Sequence, residues 1–256
     1  MRDRLSTLPP EILQLILGKV TARDIHTVGQ INPWLRALVA PIAAEHVQQL
    51  TNEDGWRLHI ILYIETLSYL ESRSHYHDEL SLLGQFRSID PSTLDLHFDL
   101  CPMDEQGFQP VPRTVDDDTQ VMFLKNSWTT IELSLNFAKV TPSTRRLEYI
   151  DMLDSINLET DVIQNQLSSQ TTFDMLPSLA NHVHVSIQVS ESALPEPSEI
   201  VSRLALAAEQ ETLPRAESRI VVLNMPSVCT SYDWWLSQIE NASDAPIHDP
   251  TLVNPP

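Results

Sequence analysis

A chain of 256 residues has room for one ordinary domain and a smaller one, and its 42% apolar and 20% charged residues suit a buried core better than bulk disorder. Its formal net charge of −19, from 16 Lys and Arg against 35 Asp and Glu, opposes counterion release and argues against nucleic acid or an anionic membrane as a partner. Two distant cysteines, Cys101 and Cys229, exclude a disulfide framework and a Cys-rich zinc site and suit a reducing compartment, cytoplasmic or nuclear.

No apolar run reaches the ~18 residues that cross a bilayer, and Pro9-Pro10 follow too soon after Met1 for a secretion leader, so a chain that is neither membrane-bound nor secreted is expected. Those prolines suit a first helical turn, with Glu11 near the positive end of the dipole, and predict a helix from Pro9 to Val20. Its apolar residues Ile12, Leu13, Leu15, Ile16, Leu17 and Val20 spread over roughly 200° of the wheel, too wide for one packing face, so part of that arc must meet another helix or another protein. Gly18 weakens the last turn. Thr21 and Asp24, at capping-box spacing, start a second helix through Val28. Asn32-Pro33 opens a third, carrying Trp34, Leu35, Leu38 and Val39, which Pro41 breaks or restarts.

The series Leu8-Pro9-x-Glu11-Ile12, Ile16, Val20, Asp24-Ile25, Val28, Ile31-Asn32-x-x-Leu35-Arg36-x-Leu38 resembles the F-box, in the form common in fungal proteins, over about residues 5 to 47. Gly18 and Pro33-Trp34 depart from the family's pattern without removing an apolar anchor. The resemblance implies an F-box domain over residues 1–50 that binds a Skp-type adaptor and, through it, a cullin. Leu8, Pro9, Ile12, Ile16, Ile25, Val28, Ile31 and Leu35 then occupy the positions that pack within the module or against the adaptor.

Beyond it, Trp56, Ile60, Ile64 and Leu67 at three-to-four spacing predict a helix from Asn52 to Arg73. Four stretches alternate as strands do: Leu94 to Leu100, Ile131 to Phe137, Val183 to Val189, and Ile220 to Leu223. Helical patterns lie between or after them at Leu147 to Leu167, Ser198 to Glu209 and Tyr232 to Glu240. Strand-helix alternation predicts an α/β domain over residues 51–240 with parallel strands and crossovers. Leu176 to Val185 resembles the lead-in to a strand of an irregular leucine-rich repeat, and both a degenerate repeat array and a compact α/β domain stay open. Pro102 to Asp118 reads as an exposed acidic loop, and residues 241–256 as a flexible Pro-rich tail.

His75 with His77, and His182 with His184, place imidazoles within reach of a metal, but no third and fourth ligands stand out, so no metal and no cofactor are expected. Cys229-Thr230-Ser231 lacks the Gly-x-Ser-x-Gly elbow of a hydrolase, and Trp234-Trp235 must turn one ring from the core. No bond chemistry is expected. On parallel strands with one apolar face, Asp95, His97, Asp99, Glu132, Ser134, Asn136, His182, His184, Ser186 and Gln188 share the opposite face, a candidate surface for an unidentified protein substrate with a basic or hydrogen-bonding segment. The expected role is substrate receptor of a Skp–cullin–F-box ubiquitin ligase. A Skp-bound scaffold or transport factor outside ubiquitination is the alternative.

Overall fold

The computed structural model describes residues 8–67, 75–102, 120–125, 128–141, 146–158, 170–174, 179–194, 199–210 and 217–244. Three helices open the chain: α1 (Pro10–Leu17), α2 (Ala22–Ile31) and α3 (Pro33–Asn52). Their starts follow local chemistry. The Asp24 N–H donates to Thr21 Oγ1 at 3.3 Å, the Leu35 N–H donates to Asn32 Oδ1 at 2.8 Å, and proline occupies the first turn of α1 and of α3. α1 ends at Leu17, three residues before the expected Val20, where the Gly18 N–H closes on the Gln14 carbonyl.

α3 runs through Pro41 instead of breaking there. Val39, Ala40, Ala43 and Val47 are all buried on either side of the proline, and that packing outweighs the missing hydrogen bond.

Nine strands follow: β1 (Trp56–Leu67), β2 (His75–Ile89), β3 (Asp95–Pro102), β4 (Gln120–Leu124), β5 (Trp128–Thr141), β6 (Arg146–Leu158), β7 (Gln170–Asp174), β8 (Val183–Ala193) and β9 (Arg219–Ser231). Helix α4 (Glu199–Gln210) precedes β9, and α5 (Tyr232–Asp244) follows it directly. The fold is mixed α/β with more strand than helix.

All nine strands join one sheet, ordered β6-β5-β1-β2-β3-β9-β8-β7, with β4 paired to β9. Since β8 runs along one edge of β9, β3 and β4 share the other, Asp95 to Asp99 on its C-terminal half and Gln120 to Leu124 on its N-terminal half. The expected Pro102 to Asp118 loop lies mostly outside the described residues, as does the tail from residue 245 onward.

Three expectations are corrected here. Every strand pairing among the described residues is antiparallel, so the parallel arrangement with helical crossovers does not form. Among the described residues α4 is the one helix that separates two consecutive paired strands, β8 and β9.

The segment expected as a helix from Asn52 is strand β1 over Trp56–Leu67, its last residues lying outside the described set. Spacing of four satisfies a helix and a strand equally, and Leu58 and Leu62, also buried, complete the alternation that decides for the strand. The start of the helix expected over Leu147 to Leu167 is instead β6, which meets β5 with two register shifts; each shift breaks the period-two signal and hides the strand. Beyond Leu158 that expected helix also lies outside the described residues.

Buried residues of the three helices, the sheet and α5 belong to one core. Trp235 sits at its centre, 5.0 Å from Phe98 and 5.0 Å edge-on from Phe137, which in turn stacks on Trp56 at 5.1 Å. Both Trp234 and Trp235 are buried, contrary to the expectation that one ring points outward, because α5 lies between the sheet and the N-terminal helices. A smaller cluster of Leu124, Leu204, Ala208 and Ile220 holds α4 against β4 and β9.

Candidate functional site

Two surfaces left over by this packing are chemically distinctive: the outer side of the N-terminal helices and the polar face of the sheet. On α1, Leu13 and Leu17 enter the core while Ile12, Leu15 and Ile16 stay exposed, as the wide apolar arc requires. Ile31 at the end of α2 and Trp34 at the start of α3 are also exposed. Of the residues assigned to adaptor contact, Pro9, Ile12, Ile16 and Ile31 are exposed and Leu8 and Val28 half-buried, whereas Ile25 and Leu35 are buried within the fold. Sequence reading counted Leu15 in the apolar arc and Trp34 on the third helix but assigned neither to adaptor contact. Both lie on the outer side of helices whose inner positions were already filled.

The helices are bound tightly to the rest of the chain. Arg36 Nε donates to the Gly29 carbonyl at 3.0 Å, and its guanidinium also reaches the Ser92 carbonyl in the turn between β2 and β3. Leu94, in that turn, takes the left-handed conformation at φ 67° and lies against Gly29. On the other side, His46 Nδ1 of α3 meets the Tyr232 hydroxyl of α5 at 3.2 Å, and His26 Nδ1 of α2 meets Asp233 Oδ1 at 3.3 Å.

The polar face follows from register. Directly opposed residues in antiparallel strands share a face, so β1 residues His59, Ile61, Tyr63 and Glu65 stand in rows with Asn136, Ser134, Glu132 and Thr130 of β5. Likewise His97 of β3 faces Cys229 of β9, which faces His184 of β8, and Asp99 faces Ser227, which faces Ser186. The sharing of one face by the expected residues thus comes about in an antiparallel sheet.

They do not converge. β5 and β3 are separated by β1 and β2, which puts the Glu132 group roughly 14 Å from the Asp95 group at the usual strand spacing. Ser134 and Asn136 are only 4% and 7% exposed, which removes them from any direct contact with a partner. His182 precedes β8 and its Nδ1 lies within hydrogen-bond distance of Ser231 Oγ at 3.0 Å, and Gln188 accepts from Asn224 Nδ2 at 3.3 Å. His75 and His77 lie on β2, so the expected histidine pairs belong to different strands. Among the described residues no group of three or more His, Cys, Asp or Glu could hold a metal ion, and no helix is long and apolar enough to cross a membrane.

Two titratable groups of this face are shifted toward their neutral forms. Burial, then Asp95 and Asp90, pushes the Cys229 thiol up to about 11, so it stays protonated near neutral pH. Burial pushes His59 down to about 4, so its ring is neutral there. Arg87 reaches Asp99 at 3.4 Å, with both groups well exposed. Tyr63, which the helical reading of β1 left unnoticed, is the one exposed large apolar side chain among the strand residues whose side chains are described. Reading Leu58, Ile60, Leu62 and Ile64 as alternation would have placed it on this face. Neither a family model, nor a curated protein, nor a solved structure matches the chain.

Proposed function

We propose that this chain is an F-box-type substrate receptor, whose N-terminal helices bind a Skp-type adaptor and whose sheet presents a surface to a protein substrate. One observation carries the reading: α1, α2 and α3 leave Ile12, Leu15, Ile16, Ile31 and Trp34 exposed, at 44%, 69%, 49%, 65% and 43%, whereas among the described side chains of the sheet, α4 and α5 only Tyr63 and Leu206 are large apolar groups left exposed. Apolar side chains left in water on a short helical unit mark a protein-binding surface, and each one desolvated by a partner contributes about 1.5 to 3 kcal/mol. The resemblance of Leu8 to Leu38 to the F-box names the partner class. The protein itself then makes and breaks no bonds. It raises the effective concentration of a substrate beside the ligase's catalytic partner.

Co-expression of the full chain with a Skp-type adaptor tests this directly. Wild type is expected to co-purify with the adaptor, and an Ile12→Asp/Ile16→Asp variant with an unchanged circular-dichroism spectrum to lose it, because the new carboxylates would be buried unpaired at the contact. Undiminished capture by that folded variant, or no capture by wild type, overturns the assignment. Cullin in the purified complex separates the ligase receptor from a scaffold.

A further inference from the structure

Tyr63 stands in the middle of three strands, with Glu79 of β2 and Glu132 of β5 directly opposite it on either side. Its ring is 41% exposed. Each flanking carboxylate is steadied by a serine: Ser81 Oγ donates to Glu79 Oε1 at 3.2 Å, and Ser155 Oγ donates to Glu132 Oε1. The tyrosine hydroxyl titrates above its ordinary value, through burial first and then through Glu79 and Glu132, so both charges act at this ring. Among the described residues the lysine and arginine ion pairs are Arg23 with Glu240, Arg87 with Asp99 and Lys125 with Glu191, and none involves Glu79 or Glu132.

The spacing selects the occupant. Two strand steps set the backbones carrying the two glutamates roughly 10 Å apart with Tyr63 between them, an arrangement suited to a long cationic side chain whose stem crosses the ring. An aromatic face attracts such a cation, and the flanking carboxylates add ion pairs from both sides. The net charge of −19 favours the approach of a basic segment over any acidic competitor.

We propose that this uncovered part of the sheet face docks a basic, extended segment of a partner protein, one lysine or arginine lying on Tyr63 between Glu79 and Glu132. The inference deepens the receptor reading and rests on it for the occupant's role as the substrate. It replaces the wider face expected from the sequence, whose Ser134 and Asn136 are buried and whose Asp95 group lies on distant strands.

The probe is a fluorescein-labelled peptide of alternating arginine and serine, titrated by anisotropy with the full chain at low salt. Two screened ion pairs and one ring contact, each worth a factor of about two to five, predict roughly tenfold weaker binding for Glu79→Gln/Glu132→Gln. Tyr63→Ala is expected to weaken it severalfold and Tyr63→Phe to leave it unchanged, since the ring and not the hydroxyl meets the cation. Glu209→Gln/Glu217→Gln removes the same charge from exposed positions elsewhere and is expected to bind as wild type does. Wild-type affinity in Glu79→Gln/Glu132→Gln, or an equal loss in the charge-matched control, overturns the proposal. The Ile12→Asp/Ile16→Asp variant is expected to keep peptide binding whatever becomes of adaptor capture, so failure of the receptor reading and failure of the docking face are read separately.

Discussion

Gly55 and Val140 lock the junction between the helices and the sheet. The Val140 N–H donates to the Gly55 carbonyl at 2.8 Å, and Gly55 takes φ 77°, with the Val140 carbonyl oxygen over its α-carbon where a Cβ would have no room. This turn carries the chain from α3 into the middle of the sheet.

Gly55→Ala is therefore expected to destabilise the protein by at least about 2 kcal/mol, from left-handed strain combined with a clash against rigid backbone. Urea denaturation followed by tryptophan fluorescence measures it. An unchanged midpoint would show that the turn relaxes freely.

Adjacent residues of α1 should divide sharply between stability and recognition. Leu13 is buried in the core and Ile12 is exposed, so Leu13→Ala is expected to cost about 2 to 4 kcal/mol and Ile12→Ala less than about 0.5 kcal/mol. Thermal melts of the two variants check the division, and equal losses would place the outer face of α1 inside the fold.

Stability should fall in mild acid. His59 has an ordinary value of 6.5 and is held down to about 4 by burial, so between those values the unfolded chain binds a proton that the folded chain refuses. Its neutral form contributes full stability above pH 6.5, and roughly 3 kcal/mol is lost as the pH falls from 6.5 to 4. His46, also held down by burial, pulls in the same direction. Urea midpoints across that window measure the slope, which His59→Gln is expected to flatten. An identical slope in that variant would assign the acid sensitivity to other groups.

Cys229 should react slowly with electrophiles. With its thiol pushed up to about 11, the thiolate fraction at pH 7.5 falls roughly two orders of magnitude below that of a free cysteine, and alkylation by iodoacetamide is expected to slow at least in that proportion. Timed alkylation with peptide mass spectrometry reads the rate. Fast modification of native protein would mean that burial, with Asp95 and Asp90, does not hold the thiol protonated.

The helix starts at Pro9-Pro10, Thr21 and Asn32-Pro33, the strands β3, β5, β8 and β9, and the helices α4 and α5 were legible because caps, prolines and period-two alternation are local chemistry. The excess apolar arc of α1 was legible for the same reason, since a wheel needs no neighbour to show that six residues outrun one packing face. Strand direction was not. Whether two strands run parallel depends on which partner each finds, and no residue of β1 records that it lies between β2 and β5. The identity of β1 itself was undecidable from Trp56, Ile60 and Ile64, whose spacing serves helix and strand alike, until burial against α3 and pairing on both edges selected the strand. The same pairing brought Glu79 and Glu132, 53 residues apart in sequence, to either side of Tyr63. A juxtaposition of that kind exists only once long-range hydrogen bonding has set the register.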